Sequence, residues 1–124
     1  MIDFDNGSVF KLKPTDVPDS GETVSELLVA GESFQAAFST VRDKVLFTDK
    51  RIIAVNVQGI TGKKVDYTTL PYSRIQAFSV ETAGTFDMDA ELDLWFSGMG
   101  KIRFEFKGGA DIRALANLIA SHTL

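Results

Sequence analysis

The chain has 124 residues, a net charge of −4, and 44% hydrophobic against 24% charged residues. That is the balance of one ordinary globular domain, which buries about two-thirds of the surface of its unfolded form. The absence of cysteine excludes disulfides, thiolate nucleophiles and zinc–cysteine sites, and makes a reducing cytoplasm the expected compartment. The acidic balance argues against nucleic acid and anionic membranes as partners, no apolar run nears the roughly 20 residues that span a bilayer, and the N-terminus does not read as a signal peptide.

Residues 1–21 contain Pro14 and Pro18 and read as an extended N-terminal arm, which leaves 22–124 as a single domain. Residues 23–29 suit a short helix, with Thr23 as N-cap, Glu26 completing a capping box and Gly31 just past the end. From Phe34 the hydrophobic period becomes two: Phe34, Ala36 and Phe38 share a face, then Val45 and Phe47, then Ile53, Val55 and Val57. Polar turns are expected at 48–51 and 58–62, and residues 63–70 alternate again. After Pro71 the phase changes from Ile75 and Ala77 to Phe78 and Val80, which predicts a β-bulge near Ala77. Gly84 is expected to turn the following loop with positive φ. Residues 91–96 and 101–106 form a hairpin across Ser97, Gly98, Met99 and Gly100. Asp111 then caps a helix with Ile112, Leu115, Leu118 and Ile119 on one stripe. The fold class is therefore all-β with a C-terminal helix: seven antiparallel strands in a partly open barrel capped by that helix, after a short N-terminal helix.

The chemistry-bearing residues do not assemble into a catalytic or metal site. His122 is the only histidine and stands near the C-terminus, with no neighbour in sequence to orient its ring. Asp87, Asp89 and Glu91 alternate like a calcium loop, but Leu92 occupies the place where such a loop needs glycine. Ser25, Ser33 and Ser39 have no base nearby, and the GITGKK segment lacks phosphate-loop spacing and leads into a strand. No catalytic residue, metal or cofactor is expected. Arg42 and Lys44, with Lys50, Arg51, Lys63 and Lys64 if the turns converge, could form a basic patch for an anionic lipid headgroup.

Trp95 stands out on the last hairpin. Leu92, Leu94 and Phe96 face inward, as do Ile102, Phe104 and Phe106, so Trp95 faces out. Matching the faces pairs Phe96 with Ile102 and Trp95 with Arg103, a cation–π contact, and sets Asp93 against Glu105. Two uses are open to Trp95: cover by the N-terminal arm, or an oligomer interface with Arg103.

The segments FTDKRIIAVNVQGITGKK, PYSRI and FSVETAGTFDMDAELDLW resemble the bacterial pleckstrin-homology-like domain family over residues 31–121. Gly59, Gly62 and Gly84 stand at that family's turn glycines, and Arg42-Asp43 and Asp49-Lys50-Arg51 match its polar turns; Asn56 departs from it, standing where Asp is more usual. The resemblance implies a small cytoplasmic scaffold without enzymatic activity, assembled as a cyclic homo-oligomer, with a pentameric ring expected, that binds an unidentified protein partner. Arg42, Asp43, Asp49, Arg51 and Arg74, charged groups at turns and strand starts, are the expected partner-binding residues. A peripheral phosphoinositide-binding domain is the alternative function.

Overall fold

The structure, a computed structural model, describes residues 1, 9–59, 64–86 and 88–124, with the backbone alone for Val9 and Phe10. Ile60 to Gly62 of the expected second turn, Lys63 at the start of the next expected strand, and Asp87 of the acidic loop lie outside the described residues. Among the described residues there are eight strands, not seven: β1 (Val9–Pro14), β2 (Phe34–Ser39), β3 (Lys44–Thr48), β4 (Arg51–Gln58), β5 (Lys64–Pro71), β6 (Ile75–Glu81), β7 (Ala90–Phe96) and β8 (Gly100–Phe106), followed by the helix α1 (Ile112–Thr123). They form one sheet in the order β5-β4-β3-β2-β1-β8-β7-β6.

The additional strand lies in the segment expected to be an arm. β1 pairs antiparallel with β2 and parallel with β8, so one pairing departs from the all-antiparallel expectation. It joins two meanders that otherwise share no strand pairing. Between Val9 and Leu12, β1 takes one more residue than β8 takes between Phe104 and Phe106. This bulge holds Lys11 at φ 56°, seats Leu12 fully in the core and leaves Lys11 and Lys13 exposed. One extra residue reverses the facing of all that follows it.

Two apolar clusters fill the fold. The larger runs from Leu12, Phe38, Phe47 and Ile52 to Leu92, Leu94, Phe104 and Phe106, and receives Ile112, Leu115 and Ile119 from α1. The smaller, Val24, Ala37, Leu46, Ile53 and Val55 with Leu28, Phe34 and Tyr67 against it, covers the other face of β2 to β5. β3 and β4 are thus buried on both faces, which accounts for their unbroken apolar runs. Phe34 belongs to the smaller cluster, while Ala36 and Phe38 pack with the larger. The expected shared face is broken by a register shift between Phe34 and Ala36.

The predicted bulge in β6 is present: the register shifts between Ile75 and Ala77, and Phe78 and Val80 pack inward while Ala77 is exposed. Gly84 is not among the described glycines with positive φ. Residues 23–27 form a 3₁₀ turn without a side-chain cap. The expected Thr23–Glu26 capping box is replaced by Asp19, whose carboxylate accepts from the Gly21 N–H at 2.9 Å and whose carbonyl accepts from Ser25 Oγ at 2.6 Å.

The last helix begins where expected: Asp111 Oδ1 accepts a hydrogen bond from the Ala114 N–H at 3.1 Å. Asp111→Ala should therefore destabilise the protein by about 1 kcal/mol, measurable as a lower denaturation midpoint at unchanged slope in urea.

Candidate functional site

The most strongly organised polar group is centred on Glu32, in the connection before β2. Its side chain is fully buried. Oε2 accepts from Thr48 Oγ1 at 2.6 Å and from Arg51 Nε at 2.9 Å; Oε1 accepts from the Val29 N–H and from a second Arg51 nitrogen, both at 3.0 Å. Arg51 also donates to the Leu27 carbonyl and the Thr69 hydroxyl. Burial pushes the Glu32 carboxyl up, but the hydrogen bonds from Arg51, Thr48 and Val29, with the Arg51 charge, hold it below the usual range. Tyr72 closes the group by donating its hydroxyl to the Thr48 carbonyl at 2.7 Å. Burial, then the charges of Asp49 and Glu32, push the Tyr72 phenol well above its ordinary value. The group ties the β3–β4 turn to the ends of β2 and β5, and hydrophobic patterning gives no sign of Glu32. The pairing of a glutamate before one strand with an arginine opening the next hairpin is its only trace in sequence.

The expected partner-binding residues fall at two places. Arg42 and Asp43 precede β3, whereas Asp49 and Arg51 follow it, about 20 Å away at roughly 3.3 Å per residue. At the first place, Arg42 donates to the Gly59 carbonyl at 2.6 Å, and Asp43 accepts from Asn56 Nδ2 at 3.0 Å. The Asn56 that departs from the family pattern is thus the donor to Asp43, where a carboxylate would be repelled. At the second, Asp49 accepts from the Ser33 N–H at 3.0 Å, while Arg51 is held by Glu32 and is no surface group. Arg74 lies beyond β5, in a shallow concavity shared with Pro71, Ser97 and Met99, and makes no ion pair among the described residues. The basic turns do not converge: β4 separates Lys50 and Arg51 from Arg42, Lys44 and Lys64.

The final hairpin corrects the expected register by two residues. Phe96 pairs with Gly100, Trp95 with Lys101 and Asp93 with Arg103. Gly98 and Gly100 both take φ 83°, and this tight turn needs only the three residues between Phe96 and Gly100. A two-residue slip keeps each face, so Trp95 stays on the outer side, half-buried. Arg103 binds Asp93 through two nitrogens at 2.8 and 3.0 Å and lies 3.6 Å from Glu91. The Arg103 hydrogen bond holds Asp93 below the usual carboxylate range. The expected contact of Arg103 with Trp95 is thus replaced by a local ion pair. The like-charge pairing moves to Glu91 and Glu105.

His122 is held at the helix end, with Nδ1 2.9 Å from the Leu118 carbonyl and its ring beside Tyr72. Among the described residues no three His, Asp or Glu side chains are grouped to hold a metal, and no helix is long and apolar enough to cross a membrane.

A four-stranded meander, a three-stranded meander and a C-terminal helix packed on the core define the pleckstrin-homology-like class. The chain belongs to the bacterial PH domain family, whose model matches residues 3–123. It is 45% identical to YjqA of Bacillus subtilis strain 168 over 102 residues, covering 81% of this chain and 82% of that protein. YozO of the same organism is 32% identical over 96 residues, covering 77% and 82%. Among solved structures, a DUF1696 family protein with a pleckstrin-homology domain from Shewanella loihica PV-4 superposes with TM-score 0.79 and 39% identity, covering 95% of this chain and all of that one. A pleckstrin homology domain from Shewanella amazonensis SB2B gives TM-score 0.62 and 48% identity over 82% of each chain.

Proposed function

We propose that this protein is a non-catalytic interaction module that assembles with copies of itself into a closed ring and offers hydrophilic surfaces to a protein partner. The observation that carries the reading is the sheet order, which ends in two different strands, β5 and β6. Proline occurs in them only at the last residue of β5, so their outer backbone groups are not blocked in the way that protects lone edges. Joining the β5 edge of one copy to the β6 edge of the next makes a head-to-tail contact, and such contacts close into rings when the rotation permits. The non-catalytic part is supported by how the charged groups are used: Arg51 and Arg103 each hold a carboxylate in place. Of the expected partner-binding arginines, Arg74 is the one whose side chain makes no hydrogen bond or ion pair among the described residues, Arg42 being held by the Gly59 carbonyl and Arg51 by Glu32, and the partner surface centres on it.

Light scattering of the purified chain at micromolar concentration should give a multiple of the monomer mass, and a monomeric mass would refute the ring. Arg74→Glu should abolish capture of the protein partner from a lysate while leaving the assembled mass unchanged. Undiminished capture would remove Arg74 from the binding surface.

A further inference from the structure

A concavity of about 320 Å³ lies where β5 ends and the β7–β8 turn comes alongside it. Leu70, Pro71, Phe96 and Met99 give it apolar walls, while Arg74 supplies a charge and Ser97 a hydroxyl. Leu70 and Phe96 are buried, but Met99 is 38% exposed, so apolar surface here is left for a ligand to cover. Arg74 is exposed and makes no ion pair among the described residues, whereas Arg42, Arg51 and Arg103 are each held by an oxygen of the chain.

The backbone marks the same spot. The Tyr72 N–H donates to the Lys50 carbonyl at 3.2 Å, so Arg51 and Pro71 form a non-hydrogen-bonded pair, whose backbone groups face away from each other. β5 is an end strand of the sheet, and at Pro71 its free edge has no N–H to give. A ladder added along β5 therefore loses its donors after Thr69, and the concavity lies past the end of it.

We propose that this concavity captures the C-terminal residue of the protein partner, its free carboxylate on Arg74 and Ser97 and its apolar side chain on Pro71 and Met99. This rests on the reading of Arg74 as the centre of the partner surface and names the group that surface receives. A guanidinium pairs with a carboxylate through two parallel hydrogen bonds, and one such cation matches a group of single negative charge. A C-terminal aliphatic residue carries its carboxylate and its apolar group on one α-carbon, so both fit within a concavity of this size. An internal aspartate or glutamate brings the charge alone and leaves the apolar walls in water.

Titration with the tripeptide acetyl-Ser-Ala-Leu, followed by backbone-amide NMR, should shift the Arg74, Ser97 and Met99 signals saturably. Amidating the peptide's C-terminus should weaken binding about tenfold or more, the loss of one charge-assisted pair. Replacing its leucine with glycine should weaken binding as well. Arg74→Gln, at an exposed position, should keep the melting temperature and lose affinity for the free acid as the amide does. The inference is overturned if those signals do not saturate, if the amide binds as well as the acid, or if Arg74→Gln binds undiminished. It fails separately from the reading it rests on. Tripeptide binding beside undiminished partner capture by Arg74→Glu keeps the C-terminal pocket and removes the partner surface. Lost capture by Arg74→Glu without tripeptide binding keeps the partner surface and overturns the C-terminal pocket.

Discussion

Arg51→Ala should destabilise the protein by about 3–5 kcal/mol, the cost of leaving a buried carboxylate without its cation. Glu32 is fully buried and receives two of its four hydrogen bonds from Arg51, so truncating the arginine leaves the carboxylate without its cation and with half of its donors gone. Arg51→Ala combined with Glu32→Gln should recover part of the loss, because the orphaned charge is then gone. Thermal melts across pH separate this from lost packing. Glu32 titrates lower in the folded protein than its ordinary value of 4.5. Its contribution is therefore complete above pH 4.5 and is lost as pH falls through the folded value, where the carboxylate takes up a proton. The gap between wild type and Arg51→Ala should narrow as pH falls, beginning above that acid range, because burial raises the pKa of the orphaned carboxylate in the variant and it is protonated first there. A gap independent of pH would mean that the arginine acts through its stem alone.

Phe106→Ala is expected to cost about 3–5 kcal/mol as well, here through transfer and cavity terms. Phe106 is fully buried, lies edge-on to Phe38 with ring centres 4.9 Å apart, and stands 6.5 Å from Phe47. It is where the last strand meets the first meander, so its neighbours come from both halves of the sheet and are poorly placed to collapse into the gap. Denaturant unfolding should show the loss as a lower midpoint. Phe86→Ala, at a fully exposed position, should leave the midpoint nearly unchanged.

Alternation in β7 and β8 and unbroken apolar runs in β3 and β4 made most of the fold legible, and Asp111 announced the helix through a local hydrogen bond. Legibility failed where tertiary partners override local pattern. β1 looked like an arm because two prolines and two lysines mask the buried Leu12, and its strand character depends on partners 26 and 94 residues away, Lys13 with Ser39 and Leu12 with Phe106. The β7–β8 register was off by two residues because face matching constrains pairing only modulo two, and the turn glycines decide the rest. The five charged residues lie at turns and strand starts as expected, but only Arg42 and Arg74 among them are exposed. Which charges they shared was not readable: Glu32 and Arg51 are 19 residues apart and meet only once β2, β3 and β4 are in place.

The position of β1 also sets an order of events during synthesis. Of the described strands, β1 leaves the ribosome first yet is a central strand of the finished sheet, and one of its two neighbours, β8, is made after all the others. β2 to β5 can pair as each emerges, since every strand finds its partner next in line, and β6 to β8 can do the same afterwards. β1 must wait, held meanwhile by its short ladder to β2, until Phe104 and Phe106 arrive to take its other side. Closure of the sheet is therefore a long-range step whose loop entropy is met only once β8 has been made. Until then β8, like β1, presents an unpaired edge in the middle of what becomes the core.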